Sequence, residues 1–356
     1  MPPNTFEVPL IDIAPYVDGD NPADKHRVAR QIDTACREVG FIQIHGHAVP
    51  DRTIAGLASA MDAFFGQPLA DKMAYRLPPA VNRGYSPPRS EALRNTIGVS
   101  SPSDMNDYFE AFNIGAAADD YPDVALSAAD YPANAWPTDI ASFEADVLDY
   151  FHHARRVAHT LTTIFADALH LDPGYFAQAT DHSIDVLRMN NYALPSGTPV
   201  PASEATGMGE HTDFGFVTVL WADRVPGLQV LGGDHRWHDV VPAPGALLVN
   251  LGDMAARLTN DRWLSTLHRV QPPIVDGTIQ RRRSAAFFHD GNVDFLVEPL
   301  PSCVAPGTQP SYRPITVRDH LIAKLNGSRN GQPNPYAERE ASRVLAAQPP
   351  RTVENA

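Results

Sequence analysis

Three residues of this sequence have the chemical types and the spacing of a mononuclear metal site. His211 and Asp213 form an H-x-D pair, and His268 follows farther along the 356-residue chain. Two imidazoles and one carboxylate form the facial triad that holds non-heme Fe(II) and leaves coordination positions open. Side chains two residues apart on a strand share one face, so His211 and Asp213 can reach the same ion. The sequence therefore predicts an iron centre in which His211, Asp213 and His268 are the metal ligands and the catalytic residues.

A second H-x-D pair shows why this spacing alone is a weak signal. With 14 histidines in the chain, about one such pair is expected by chance. His170 and Asp172 form the second pair, at the end of a long helical pattern and directly before Pro173 and Gly174. These are helix-stop signals, so we expect His170 near a helix C-terminus, where a partly positive imidazole suits the helix dipole.

An R-x-S pattern downstream of His268 points to a carboxylate ligand. Arg282 and Ser284 share one face of a predicted strand, while Arg281 and Arg283 face the other way. The planar guanidinium gives a carboxylate two parallel hydrogen bonds, and a nearby hydroxyl adds a third. The sequence therefore predicts a carboxylate-binding pocket beside the iron centre, whose open metal positions can take an organic co-substrate and O₂.

At these residues the chain resembles the Fe(II)- and 2-oxoglutarate-dependent oxygenases of the isopenicillin-N-synthase-like family. The resemblance covers roughly residues 6–325, and its motifs are specific as a set rather than one by one. The matching segments, in chain order, are Val8–Ile13, Gly40–Gln43, Asn134–Pro137, Glu210–Leu220, Pro226–Val230, Trp237, Pro244–Asp253, Thr259–Asn260, Ser265, His268–Val270, Arg282–Ser284 and Phe287–Phe288.

The resemblance implies both a fold and a reaction. The implied fold is α+β, with a double-stranded β-helix (jelly-roll) core flanked by helices, one of them long. The implied enzyme is an oxidoreductase with Fe(II) as cofactor and with 2-oxoglutarate and O₂ as co-substrates. It couples decarboxylation of 2-oxoglutarate to succinate with hydroxylation, desaturation, cyclisation or epoxidation of a small organic molecule. Family members contact 2-oxoglutarate at the positions of Asn190 and Tyr192, so both join Arg282 and Ser284 as expected co-substrate ligands.

The substrate itself is not specified by these motifs. In this family, loops and variable strand faces hold the substrate, so we expect a small organic molecule bound by residues from such places. The candidates by position are Arg83, Tyr85, Asn106, Tyr108, Met208, Phe287 and His289.

Three alternative functions stay open at the level of the sequence. An Fe(II) oxidase that does not use 2-oxoglutarate also retains an R-x-S pattern, for other carboxylates. A non-catalytic barrel that binds a metal or ligand would show binding without O₂-dependent turnover. Two histidines and a carboxylate also bind zinc, which would make the site hydrolytic.

Charge and composition limit the partners that we expect. The net charge is −14, and Arg281–Arg283 is the only basic cluster, so we expect no nucleic acid as partner. The only cysteines, Cys36 and Cys303, are far apart in sequence, which is typical of a reducing compartment. No apolar run is long enough to span a bilayer and no leader pattern opens the chain. We therefore expect a soluble cytoplasmic protein without membrane contact or an obligate protein partner.

Hydrophobic periodicity divides the chain into three segments of one structural unit. Residues 1–137 form an N-terminal helix and strand region, with loops and short helices expected over 66–137. Residues 138–325 hold a long helix from Thr138 to Leu169, the core strands between Asp185 and Glu298, and a last helix over Thr316–Leu325. Residues 326–356 form a polar C-terminal tail.

Overall fold

The computed structural model describes residues 6–78, 80–91, 93–97, 107–193, 207–272, 274–275, 278–330, 332 and 334–336. The helices of these residues are α1 (Ala14–Val17), α2 (Pro22–Glu38), α3 (Asp51–Phe65), α4 (Leu69–Met73), α5 (Phe143–Leu169), α6 (Tyr175–Thr180), α7 (Asp253–Leu258) and α8 (Val317–Asn330). The strands are β1 (Leu10–Asp12), β2 (Phe41–His45), β3 (Gly84–Ser86), β4 (Glu110–Gly115), β5 (Val186–Tyr192), β6 (Met208–His211), β7 (Val217–Ala222), β8 (Leu228–Leu231), β9 (Trp237–Asp239), β10 (Leu247–Leu251), β11 (His268–Val270), β12 (Ile274–Val275), β13 (Thr278–Ile279), β14 (Arg282–His289), β15 (Leu296–Val297) and β16 (Ile315–Thr316). Short 3₁₀ helices lie at Leu93–Ile97, Ala118–Asp120 and Pro301–Cys303.

Two sheets form the core of the molecule. The large sheet has the strand order β1-β2-β10-β7-β14-β5-β4-β3, and the smaller sheet has the order β6-β11-β8-β9. Apart from the parallel β1–β2 pair, the strands within these two sheets pair antiparallel. Side chains from both sheets, among them Tyr192, Leu248, Met208 and Val230, join one apolar cluster, so the two sheets face each other. The α+β architecture that the sequence predicts is the architecture of the structure.

The helices cover the outer face of the large sheet. The 27-residue α5 has an apolar stripe that is buried along its length, and α2 and α3 pack against it. The sequence places the start of this helix at Thr138, but α5 begins at Phe143, after Ser142 adopts a left-handed conformation with φ of 63°. His170 ends the helix with φ of 55°, as the helix-stop signals predict.

The two faces of β5 and β14 have different neighbours because side chains alternate along a strand. Ala285, Phe287 and His289 point to the helices, where Phe287 stacks edge-on with Phe151 of α5. Arg282, Ser284, Ala286 and Phe288 point to the space between the sheets and line a cavity there. Every second residue of β5 and of β14 therefore lines the space between the two sheets.

Two segments differ from the sequence-based expectation. The stretch 66–137 contains β3 and β4, which extend the large sheet beside β5, although weak periodicity predicts loops there. The last helix runs to Asn330 instead of Leu325, because Lys324 and Ser328 on its later turns are buried. Strands from residues 1–137 and 138–325 thus share one sheet, and the three-segment division stays a prediction. In the described residues, no helix has the length and apolarity needed to cross a membrane.

Candidate metal centre and carboxylate pocket

The smaller sheet brings the H-x-D pair and the distant histidine together. His211 ends β6 and His268 begins β11, and these two residues are direct partners in the antiparallel register. The Nε2 atoms of His211 and His268 lie 3.8 and 3.7 Å from Oδ1 of Asp213. All three side chains are buried, and in the described residues they form the one cluster able to hold a metal ion.

Hydrogen bonds fix the orientation of both imidazoles. Nδ1 of His211 lies 2.8 Å from the carbonyl oxygen of Gly209, and Nδ1 of His268 lies 3.1 Å from that of Thr266. A carbonyl only accepts, so each Nδ1 carries the proton and each Nε2 presents a lone pair. Burial, and then the neighbouring His268, lower the pKa of His211 and favour the neutral form that binds metals.

The carboxylate of Asp213 is held by two donors on the large sheet. Thr218 Oγ1 donates to Oδ2 over 2.5 Å, and Asn250 Nδ2 donates to the same oxygen over 2.6 Å. Thr218 and Asn250 face each other in the register of β7 and β10. Oδ1 is therefore left to face the two imidazoles, so the three side chains present one oxygen and two nitrogens to a common point.

We expect the Thr218→Val variant to bind a metal about 10- to 100-fold more weakly, because partners that orient a ligand contribute this much to affinity. Valine has the shape of threonine but cannot donate to Oδ2 of Asp213. Anaerobic Fe(II) titration of purified protein measures the change. Thr218→Ser keeps the hydroxyl and serves as the matched control, and equal affinities of the two variants would contradict the assigned role.

Arg282, Ser284, Asn190 and Tyr192 form the predicted carboxylate pocket. β14 and β5 pair so that Arg282 stands opposite Tyr192, and Ser284 stands opposite Asn190. The guanidinium lies over the Tyr192 ring, 5.1 Å from its centroid. Arg282 is 2 % exposed, and its Nε and Nη1 have no hydrogen-bond partner among the described residues. A buried cation with unused donors is costly unless an anion meets it, so this pocket can accommodate the carboxylate of an acid.

A buried ion pair lies next to the segment that contains His211 and Asp213. Lys324 of α8 lies 2.7 Å from Oδ2 of Asp253 and donates to Oγ1 of Thr212 over 3.0 Å. Thr212 is the residue between His211 and Asp213, so Lys324 contacts the segment that holds both of these residues. Ser265 donates to the other oxygen of Asp253 over 2.8 Å. Nothing in the local sequence pattern of α8 shows that Lys324 is buried, so its role could not be predicted from the sequence. The C-terminal helix thereby fixes the loop that carries two of the three ligands.

Replacing Lys324 with methionine is expected to reduce the free energy of unfolding by about 3 kcal/mol, because it removes a cation that compensates a fully buried carboxylate. Urea denaturation followed by circular dichroism measures the loss. The exposed Arg52 of α3 gives the control, Arg52→Met, for which we expect a change within about 0.5 kcal/mol. Similar stabilities of the two variants would show that the pair does not stabilise the fold.

A cavity of about 410 Å³ extends from the metal centre between the sheets to α8. Of the substrate candidates that the sequence suggests, Arg83 and Met208 line this cavity. Met208 also accepts a hydrogen bond from the Tyr192 hydroxyl at 3.9 Å. Asn106 lies outside the described residues.

Four other candidates lie away from the cavity, which corrects those predictions. Tyr85 donates to Glu110 and packs in the core beside Phe64, and Tyr108 accepts a hydrogen bond from the exposed Arg89. Phe287 and His289 lie on the helix side of β14, where His289 pairs with Asp185 at 2.7 Å. The strand alternation that places Arg282 and Ser284 inside also places these two residues on the opposite face.

Several cavity residues have no role in the sequence analysis. Phe288 and Asp290 continue the inner face of β14, and Arg188 continues the inner face of β5 below Asn190 and Tyr192. These three residues lie at steps of two along the strand from Asn190 and Tyr192 or from Arg282 and Ser284. The same period of two could therefore have identified them from the sequence. Glu91 and Asn113 also line the cavity, but they come from the segment expected to form loops.

Comparison with known proteins gives two family matches, which together span most of the core. The model of the non-haem dioxygenase N-terminal region, described for morphine synthesis, matches residues 8–139. The model of the 2OG-Fe(II) oxygenase superfamily matches residues 184–291, which contain the three clustered ligands and the carboxylate pocket.

Individual relatives and solved structures agree with these matches. The 2-oxoglutarate-Fe(II) type oxidoreductase hxnY of Emericella nidulans is 35 % identical over 345 residues, which are 95 % of each chain. A Neurospora crassa protein, solved at full length with α-KG and thymine, has a TM-score of 0.77 at 26 % identity and covers 91 % of this chain and 98 % of its own. JOX2, solved with 2OG, Fe and JA, has a TM-score of 0.72 at 26 % identity, covering 94 % and 88 %.

Proposed function

The chain belongs to the 2OG-Fe(II) oxygenase superfamily, and from this premise we propose that His211, Asp213 and His268 hold its iron and that Arg282, Ser284, Tyr192 and Asn190 bind its 2-oxoglutarate. The family, the jelly-roll fold class, the oxidoreductase activity and the use of Fe(II) and 2-oxoglutarate are as the sequence predicts. The assignment of particular residues and the choice of substrate are what we propose here.

The proposed 2-oxoglutarate site rests mainly on the hydrogen-bond donors of Arg282. Two guanidinium nitrogens, Nε and Nη1, are buried with no hydrogen-bond partner among the described residues, on the wall of the cavity that also contains the metal cluster. 2-Oxoglutarate has one carboxylate to chelate the metal together with its keto oxygen and a second carboxylate at the far end. An Arg–carboxylate pair is short, bidentate and about twice as strong as a neutral hydrogen bond, so Arg282 can fix that far end.

The donor set fits iron, and each residue of the chain has a separate task. When bound, Fe(II) with 2-oxoglutarate supplies the activation of O₂ and the oxidising power. His211 and His268 offer lone pairs because their Nδ1 atoms are occupied by carbonyls, and Asp213 offers Oδ1 because Thr218 and Asn250 hold Oδ2.

Arg282 and Ser284 orient the co-substrate, and the apolar side chains around them exclude water from the reacting centre. These side chains are Leu220, Leu228, Val270 and Ala286. Positioning of the reactants and exclusion of water are therefore the contributions of the protein to the reaction.

The substrate is proposed to be a small organic molecule that this enzyme hydroxylates or otherwise oxidises, by desaturation, cyclisation or epoxidation. The cavity volume of about 410 Å³ suits a ligand of this size. Residues between the metal centre and α8 are available to contact it, among them Phe288, Val186 and Leu325. A free small molecule acted on in the cytoplasm is also consistent with the unpaired Cys36 and Cys303.

The slow conversion of 2-oxoglutarate to succinate in the absence of substrate tests the proposed function. Purified protein with Fe(II), 2-oxoglutarate and O₂ is expected to form succinate, and the Arg282→Ala variant is expected to form none above background at the same 2-oxoglutarate concentration. Oxygen consumption that does not need 2-oxoglutarate would instead favour the Fe(II) oxidase alternative. Succinate formation supported by zinc would contradict the iron assignment.

A further inference from the structure

A second basic group lines the cavity, on the same inner face as the carboxylate pocket. Arg188 follows Asn190 and Tyr192 along β5 with the period of two that keeps side chains on one face. In the register of the sheet it lies between Ala286 of β14 and Asn113 of β4. Its distance along the strand from Asn190 is about 7 Å, and from Tyr192 it is about 14 Å. Arg188 is therefore too far along the strand to share the ligand of Arg282 in the same way.

The hydrogen bonds of the described residues do not use all donors of this basic group. Arg188 Nε donates to Asn190 over 3.1 Å, and Nη2 lies 3.1 Å from a Glu91 oxygen but makes no hydrogen bond of good geometry. Arg83, which is 4 % exposed, binds two backbone carbonyls and keeps a buried Nε without a partner. Among the described residues, no carboxylate lies within ion-pair distance of Arg83.

The charges on the cavity wall leave a positive excess at this end. Asp130 and Arg318 pair with each other at 2.7 Å and cancel. Burial, and then the nearby Asp185 and Asp213, raise the pKa of Asp290 well above its usual range, which disfavours its charged form. Glu91 is then the anion that pairs with Arg188, and it also lies 3.8 Å from Arg329.

Glu91 remains charged at neutral pH. Its burial opposes ionisation, but the guanidinium groups of Arg188 and Arg329 lower its pKa to about 2. Glu91 thus pairs with Arg188, while Arg83 lines the same cavity with no carboxylate of the described residues within ion-pair distance.

We propose that Arg188, assisted by Arg83, binds a carboxylate of the substrate, so that the enzyme oxidises a small organic acid. This inference rests on the proposed function, because it takes the cavity beside the metal centre as the substrate site. Buried guanidiniums with unused donors bind carboxylates with short charge-assisted hydrogen bonds, and the desolvated site strengthens them.

The rest of this end of the cavity is apolar, which defines the remainder of the acid. Ile184, Val186 and Phe288 continue the inner strand faces, and Leu321 and Leu325 of α8 close the opposite side. A substrate whose carboxylate binds Arg188 therefore packs its apolar part against these side chains, and that part also faces the metal centre. The substrate class is a monocarboxylic acid with a compact hydrocarbon or aromatic body.

Paired acids and amides test this proposal. Protein loaded with Fe(II) and saturating 2-oxoglutarate without O₂ is titrated calorimetrically with benzoate, phenylacetate and 3-phenylpropionate, and with the three matching amides. At least one acid is expected to bind about 10- to 100-fold more tightly than its amide, the contribution of a hydrogen bond to a charged group. If no acid binds more tightly than its amide while 2-oxoglutarate binding is intact, this proposal is wrong. Absence of 2-oxoglutarate binding would overturn the proposed function instead.

Three variants separate substrate binding from a structural role of Arg188. Arg188→Met is expected to remove the preference for the acid, and Arg188→Lys, which keeps a charge beside Glu91, is expected to retain part of it. Glu91→Gln removes the competing anion and is expected to tighten acid binding several-fold. An Arg188 that only pairs with Glu91 would give unchanged acid affinity in the Glu91→Gln and Arg188→Lys variants. Thermal melting and 2-oxoglutarate binding show that each variant is folded.

Discussion

The Arg282→Ala variant is expected to bind 2-oxoglutarate about 100-fold more weakly than the native protein, while its affinity for Fe(II) stays unchanged. Removing one partner of a buried, hydrogen-bonded charge pair costs about 3 kcal/mol, and each 1.4 kcal/mol is a factor of about ten in affinity. The effect is confined to the co-substrate because Arg282 contacts none of the three metal-binding side chains through a hydrogen bond or ion pair in the described residues. Anaerobic titration of the Fe(II)-loaded variant with 2-oxoglutarate measures the change.

The neighbouring Arg283 provides a matched control for this experiment. It is one residue away on β14 but faces outward, where it pairs with Asp62 at 2.8 Å and with Asp223 at 3.4 Å. Arg283→Ala removes the same charge from the same strand and is expected to leave 2-oxoglutarate affinity within about twofold, because Arg283 lies on the opposite face of the strand from the pocket. Equal losses in the two variants would mean that net charge, and not the pocket, attracts the co-substrate.

The His211→Ala variant is expected to lose stoichiometric Fe(II) binding. Two of the three ligands remain, but His211 supplies one of the two nitrogens, and the apolar surroundings offer no replacement within the described residues. Metal analysis after anaerobic reconstitution and desalting measures bound iron per chain, with about one expected for the native protein and less than about one tenth for the variant.

The second H-x-D pair supplies the control for this variant. His170 has the same sequence spacing to an aspartate as His211, but it ends α5 in a left-handed conformation and is exposed. Asparagine tolerates that conformation, so His170→Asn is expected to fold and to bind iron like the native protein. Loss of iron in His170→Asn, or its retention in His211→Ala, would show that the metal lies elsewhere.

The clustering of His211 with Asp213 and of Arg282 with Ser284 could be predicted because its signal is local. Residues two apart on a strand share a face, and this rule places His211 with Asp213 and Arg282 with Ser284. The same rule shows why Phe287 and His289 do not line the cavity. Counting onward from Arg282 by twos gives Ala286, Phe288 and Asp290, all of which line it. Chemical type alone therefore does not identify the residues of β14 that line the cavity, whereas the period of the strand does.

Other features could not be predicted because distant segments create them. β3 and β4 are short and lie in a stretch with many prolines and small residues, so only the pairing of β4 with β5 and of β3 with β4 makes them strands. Glu91 meets Arg188 across nearly a hundred residues of sequence, and Lys324 reaches Asp253 and Thr212 from the C-terminal helix. Burial of a charged side chain becomes visible only when its tertiary partner is known.

The anaerobic spectrum of the protein with Fe(II) and 2-oxoglutarate tests the central claim most directly. A 2-oxo acid that chelates Fe(II) gives a visible charge-transfer band, so the assigned site predicts a band that appears on adding 2-oxoglutarate to the Fe(II) protein. The band should be absent in His211→Ala and should need much more 2-oxoglutarate in Arg282→Ala. Iron binding without a band would favour the oxidase alternative, and absence of iron binding by the native protein would contradict the account altogether.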